Sequence, residues 1–106
     1  MSHKAKTYIL FLVAFLLAST VYSQASVKIR IACVGNSVTF GAGIENCDVN
    51  SYPAQLQKML GEKYEVANFG KSGATLLTKG HRPYIKQKEF QEALKFSPQI
   101  VIIHLG

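Results

Sequence analysis

Ile31-Ala32-Cys33-Val34-Gly35-Asn36-Ser37-Val38-Thr39-Phe40-Gly41 is the stretch on which the reading of this chain turns. An apolar run stops at a glycine, and a serine follows two residues later. Glycine lets a backbone bend sharply as it leaves a strand. The loop past a strand's carboxyl end is where open α/β sheets hold their ligands. The pattern therefore predicts a strand that delivers Ser37 into a turn, and it makes Ser37 a candidate nucleophile. Upstream, Val27, Ile29 and Ile31 alternate with Lys28 and Arg30 before the run becomes wholly apolar, so the strand spans Val27 to Val34. Downstream, Gly35 to Asn50 is rich in Gly and Asn and reads as one long loop, which suits a site.

Beyond that loop the pattern alternates between helix and strand. Ser51 is placed as an N-cap, Pro53 falls in a first turn, and Leu56, Met59 and Leu60 share one face. Gly61 stands where a helix should end. Tyr64 to Phe69 reads as a second short strand closed by Gly70, and Lys71 to Pro83 as loop. A second helix is expected from about Tyr84 to Phe96, with Phe90, Ala93 and Leu94 inward, broken by Ser97-Pro98. Ile100-Val101-Ile102-Ile103 is apolar at every position and reads as a third, central strand of a parallel sheet. Strands alternating with helices indicate α/β architecture with right-handed crossovers. A 2-1-3 strand order would bring the loops after all three strands to one sheet edge.

The first 25 residues read differently. Lys4 and Lys6 precede an uninterrupted apolar core of 11 residues, Tyr8 to Ala18, and Ser23-Gln24-Ala25 offers a cleavage site after Ala25. Spanning a bilayer takes about 20 apolar residues, so a cleaved export signal is favoured over a stable membrane anchor. A secreted or periplasmic location is expected. The chain of 106 residues carries 12 Lys+Arg against 6 Asp+Glu. Two of those cations lie in the expected leader, and the rest are dispersed. Lys79, Arg82, Lys86, Lys88 and Lys95 form a basic stretch interrupted by Glu89 and Glu92. With no reading motif beside it, this is expected to be a solvated helix face and not a nucleic-acid surface. Export permits disulfides. Cys33 and Cys47 are expected as a buried strand residue and a separate loop thiol, with a bridge between them as the alternative.

Several signatures fail on spacing. Gly70-Lys71-Ser72 lacks the earlier glycine of a phosphate loop, since position 65 is Glu65. Gly41-Ala42-Gly43 lacks the third glycine of a dinucleotide fingerprint. Gly35-Asn36-Ser37-Val38-Thr39 lacks the second glycine of the α/β-hydrolase elbow.

The order and spacing do resemble the SGNH, or GDSL, hydrolases. Gly35-Asn36-Ser37-Val38-Thr39 is similar to that family's first block, although Asn36 stands where aspartate is more usual. Asn68-Phe69-Gly70-Lys71-Ser72-Gly73-Ala74-Thr75 resembles the second block, and Ile100 to Gly106 resembles the strand entering the third. The phrases Ala32 to Ser37 and Ser51 to Leu56 resemble secreted bacterial sialate O-acetylesterase-like, carbohydrate acetylesterase-like members. The resemblance implies a three-layer, flavodoxin-like parallel sheet, with residues 26–106 forming the N-terminal portion of the domain. It implies Ser37 as nucleophile and the backbone N–H groups of Ser37 and Gly70 as oxyanion donors. The substrate would be a small-molecule or glycan ester, and neither metal nor organic cofactor is implied.

A serine hydroxyl needs a base to take its proton. His3 lies in the leader, His81 reads as a surface loop residue, and His104 as a packed or hydrogen-bonded strand residue. The family's third-block asparagine and Asp-x-x-His do not occur in these 106 residues, so the segment alone is expected to be inactive. Alternatives are a non-catalytic carbohydrate-binding relative or pseudoenzyme and, further off, a flavodoxin-like nucleotide or phosphate binder.

Overall fold

The computed structural model describes residues 27–106; the expected leader, residues 1–25, lies outside the described residues. Three strands form one parallel sheet in the order β2-β1-β3: β1 is Ile29–Gly35, β2 is Tyr64–Gly70 and β3 is Ile100–His104. The register runs Ala32↔Ala67, Val34↔Phe69 and Gly35↔Gly70 on one side of β1, and Ala32↔Val101 and Val34↔Ile103 on the other. Alternate side chains of a strand face opposite ways, so this register builds two distinct faces. Ala32 and Val34 join Ala74, Tyr84 and Ala93 in a buried cluster flanked by Phe69, Phe90 and Phe96. Val66 and Asn68 lie on the opposite face beside Pro53 and Ala54. Helices therefore cover both faces, and the architecture is the α/β parallel sheet that the sequence pattern predicts, in the three layers that the resemblance implies.

The stretch after β1 is more ordered than expected. Instead of one long loop it contains two single-turn helices, α1 (Ser37–Phe40) and α2 (Cys47–Asn50). The next helix, α3, spans Tyr52–Leu60 and ends at Gly61 as its sequence predicts. Its inward face differs. Met59 is 81% exposed, while Gln57 turns inward, accepting from Val66 N at 2.7 Å and donating to Tyr64 O at 2.9 Å. The reason lies in the sheet. β2 is an edge strand whose outer backbone groups need partners, and a glutamine amide supplies a donor and an acceptor together. Ser51 holds the N-cap position without a side-chain cap bond and is itself buried.

The expected second helix is split. Tyr84–Lys86 is a 3-10 turn, Gln87 is extended, and α4 runs Lys88–Phe96. Tyr84 anchors the first piece: it is buried, and its hydroxyl donates to Phe69 O at 2.6 Å. Phe90 and Ala93 face inward, whereas Leu94 is 56% exposed. It borders an apolar groove of about 440 Å³ lined with Val34, Phe90, Val101 and Ile103. β3 is not central in this sheet but an edge strand, exposed at every position. The basic stretch is likewise divided, since only Lys88 and Lys95 of its five cations lie on a helix of the expected kind. All five side chains are solvated.

Candidate active site

Ser37 is the first residue of α1, half-buried at the carboxyl end of β1. Asn36 caps this turn, its side-chain oxygen accepting from Val38 N at 3.1 Å. Asparagine performs this cap as aspartate does, which accounts physically for Asn36 in the first block. At the other end Gly41 N donates to Ser37 O at 2.9 Å. Opening residues of a helix have no preceding carbonyl to meet their N–H groups, and among the described residues the Ser37 N–H finds no acceptor.

Buried polar groups support the turn from below. Thr39 is fully buried, its hydroxyl 3.3 Å from that of Tyr52, and Tyr52 in turn contacts the Cys33 thiol. Burial pushes the Cys33 thiol up from its ordinary pKa, partly offset by the Tyr52 hydroxyl, and burial pushes Tyr52 up as well. Both groups therefore stay neutral at pH 7. Thr39 also explains Gly35, because a Cβ there would collide with the Thr39 side chain and stand 2.8 Å from His104 O.

Backbone bonds tie the three strand exits together. Lys71 N donates to Gly35 O at 2.9 Å, joining the end of β2 to that of β1. Asn36 N donates to His104 O at 3.3 Å, joining β1 to β3. Asn68 adds a side-chain clamp, which the sequence reading missed. Its Nδ2 donates to Thr39 O at 2.8 Å, and its Oδ1 accepts from Gly70 N at 2.9 Å. The available signal was an amide side chain two residues before the glycine that ends β2.

That clamp bears on the donor role that the resemblance implies for Gly70. The Gly70 N–H is already donated to Asn68, and Gly70 is packed directly against the backbone of Thr39 and Phe40. Free amides occur two and three residues on. Ala74 N donates to Lys71 O at 3.0 Å, closing a β-turn in which Gly73 has φ +80. That is the third position of a type II turn, where glycine is favoured. Among the described residues, the N–H groups of Ser72 and Gly73 have no acceptor.

A family description, GDSL-like Lipase/Acylhydrolase, matches residues 33–106. The chain belongs to this family. Within it, the chain is 50% identical over 78 residues to an acetylxylan esterase of Xylanibacter ruminicola. That similarity takes in 74% of this chain and 16% of the relative, so the chain spans well under a fifth of the curated protein it matches. No solved structure matches. The matched residues take in both the Gly35–Thr39 turn and the Asn68–Thr75 exit clamped to it.

The remaining candidates are placed apart from this centre or left exposed. His81 is exposed in the loop after β2, as expected, whereas His104 is exposed and unpacked and contributes its backbone carbonyl. Cys33 and Cys47 are both free thiols, the first buried. Among the described residues, no group of three or more His, Cys, Asp or Glu is placed to hold a metal ion, and no helix is long and apolar enough to cross a membrane.

Proposed function

We propose that this chain supplies the nucleophile and amide donors of an exported serine esterase that removes O-acetyl groups from carbohydrate. One observation carries the reading: Ser37 stands on a capped, buried-supported turn that is hydrogen-bonded to a neighbouring turn with unpaired amides. In the proposed reaction the Ser37 hydroxyl attacks the ester carbonyl and its proton passes to a base. The resemblance implies that this base is a histidine from outside the segment. Negative charge develops on the carbonyl oxygen, where preorganised donors are most effective. The N–H groups of Ser37 and Gly73 fit that task, and Gly73 takes the place first given to Gly70 because its amide is uncommitted. The tetrahedral intermediate expels the alcohol and leaves an acetyl-serine, which water hydrolyses. The carbohydrate substrate is supported by the similarity to an acetylxylan esterase. Export rests on the leader pattern of residues 1–25.

The test is Ser37→Ala in the full-length protein, assayed on p-nitrophenyl acetate. The expected loss in kcat is on the order of 10⁴-fold or more, because the attacking atom is gone. Undiminished turnover would remove Ser37 from the mechanism.

A further inference from the structure

Building on that reading, we propose that Arg82 is a positioning residue that locks the Ser72–Gly73 peptide with its N–H presented to the reacting carbonyl. Arg82 Nη1 donates to Ser72 O at 2.9 Å. The carbonyl of Ser72 and the N–H of Gly73 belong to one planar trans peptide, so they point in opposite directions. A hold on the oxygen therefore fixes the direction of the N–H. This peptide is the central unit of the Lys71–Ala74 turn, and turns of types I and II differ by a flip of that unit. Glycine after the flipping bond makes both orientations accessible. The turn by itself does not select between them, and an external hold on Ser72 O does.

The guanidinium is well placed for this. It lies alongside Gly73, with Nη1 3.4 Å and Cζ 3.8 Å from where a Cβ would stand. Its own backbone is anchored: Thr75 N donates to Arg82 O at 2.9 Å, and Tyr84 N donates to Thr75 O at 2.9 Å. The adjacent Pro83 bridges to Thr75. Arg82 takes part in no ion pair among the described residues, so no carboxylate draws it from the turn. A hydrogen bond from a cation is roughly twice as strong as a neutral one, and it polarises the peptide so that the opposite N–H becomes a better donor.

The experiment compares Arg82→Gln and Arg82→Lys with wild type in the full-length protein, with rates expressed per active site titrated by burst. In Arg82→Gln, kcat on p-nitrophenyl acetate should fall by about tenfold to a hundredfold, less than or equal to the loss of one oxyanion donor. KM should stay within about twofold, as expected when only the transition state loses an interaction. Affinity for phenylboronic acid, which forms a tetrahedral adduct on an active serine, should fall in proportion to kcat. Arg82→Lys keeps a cation and a donor and should recover most of the rate. Wild-type kcat per site in Arg82→Gln, or a loss confined to KM or to the number of titratable sites, would overturn the proposal. The function itself is judged separately, since an active Ser37→Ala protein would defeat that reading whatever Arg82 does.

Discussion

The two neighbours of β1 are built by opposite means. β2 is stitched to its surroundings by polar side chains: Gln57 satisfies its outer edge, Asn68 clamps its exit to α1, and Tyr84 bonds Phe69 O. β3 pairs with β1 over five residues, yet its side chains are exposed throughout, and it reaches the Ser37 turn through one carbonyl, His104 O. The contrast teaches that the geometry at Ser37 is set from the β2 side. Polar clamps have direction and fix an angle, whereas a strand ladder fixes only spacing and register.

The sharpest way to break this comparison is Gly70→Ala. A Cβ at position 70 would meet the Phe40 backbone nitrogen and stand 2.7 Å from Phe40 Cα and 2.8 Å from Thr39 C. Every obstructing atom is main chain, so no side chain can swing aside. The substitution must push α1 away from β2 and strain the Asn68 clamp. Overpacking of this kind typically costs about 1–3 kcal/mol and occasionally more, and the upper end is expected here. Denaturant unfolding measures it, and an unchanged midpoint would show that α1 is not seated on β2.

The three strands, the helices between them and parallel pairing were legible in the sequence because they follow from apolar periodicity, whereas the three layers were implied by the family resemblance. Cys33-Val34-Gly35 and Phe69-Gly70 mark strand exits by composition alone, and the serine turn is visible two residues later. What could not be read was the part decided by hydrogen-bonding need. Gln57 points inward, and Met59 outward, because an edge strand lacks partners, a fact about tertiary position. The expected helix from Tyr84 breaks at Gln87, and its first piece is anchored by a Tyr84 hydroxyl bond to Phe69 O on a distant strand. That the Gly70 amide is taken and the Gly73 amide is free becomes visible only once Asn68 is seen to accept from Gly70 N. Arg82 looked like one more solvated cation until its contact with the Ser72 carbonyl was visible.

A medium effect is expected at Tyr84, on the same polar side. Burial, with Glu89 and Glu92 nearby, pushes its pKa up to about 12. The folded state thus holds this proton more tightly than the unfolded chain, where tyrosine titrates near 10. The resulting stability is fully present below about pH 10 and is lost as pH rises toward 12. Tyr84→Phe should remove about 1–2 kcal/mol at neutral pH, since it leaves a carbonyl without its donor. It should also flatten the alkaline decline measured by thermal melts. A variant that kept the wild-type slope between pH 10 and 12 would assign that decline to another group.

The smallest effect is expected on β3, and a matched pair of substitutions measures it against the core. Val34 and Ile103 are register partners on adjacent strands, 8% and 64% exposed. Threonine keeps the β-branched shape at both positions, so strand propensity changes little. At Val34 the new hydroxyl is buried among Ala32, Ala74 and Ala93, and an uncompensated buried hydroxyl costs about 1–3 kcal/mol. At Ile103 water reaches the hydroxyl, and the change should stay within about 0.5 kcal/mol. The two losses are to be measured in the 106-residue chain and again in the full-length protein. Equal losses in the 106-residue chain would contradict the open groove beside β3. A loss at Ile103 that grows only in the full-length protein would show that further structure packs there, and β3 would then hold its side of the Ser37 turn as firmly as β2 does.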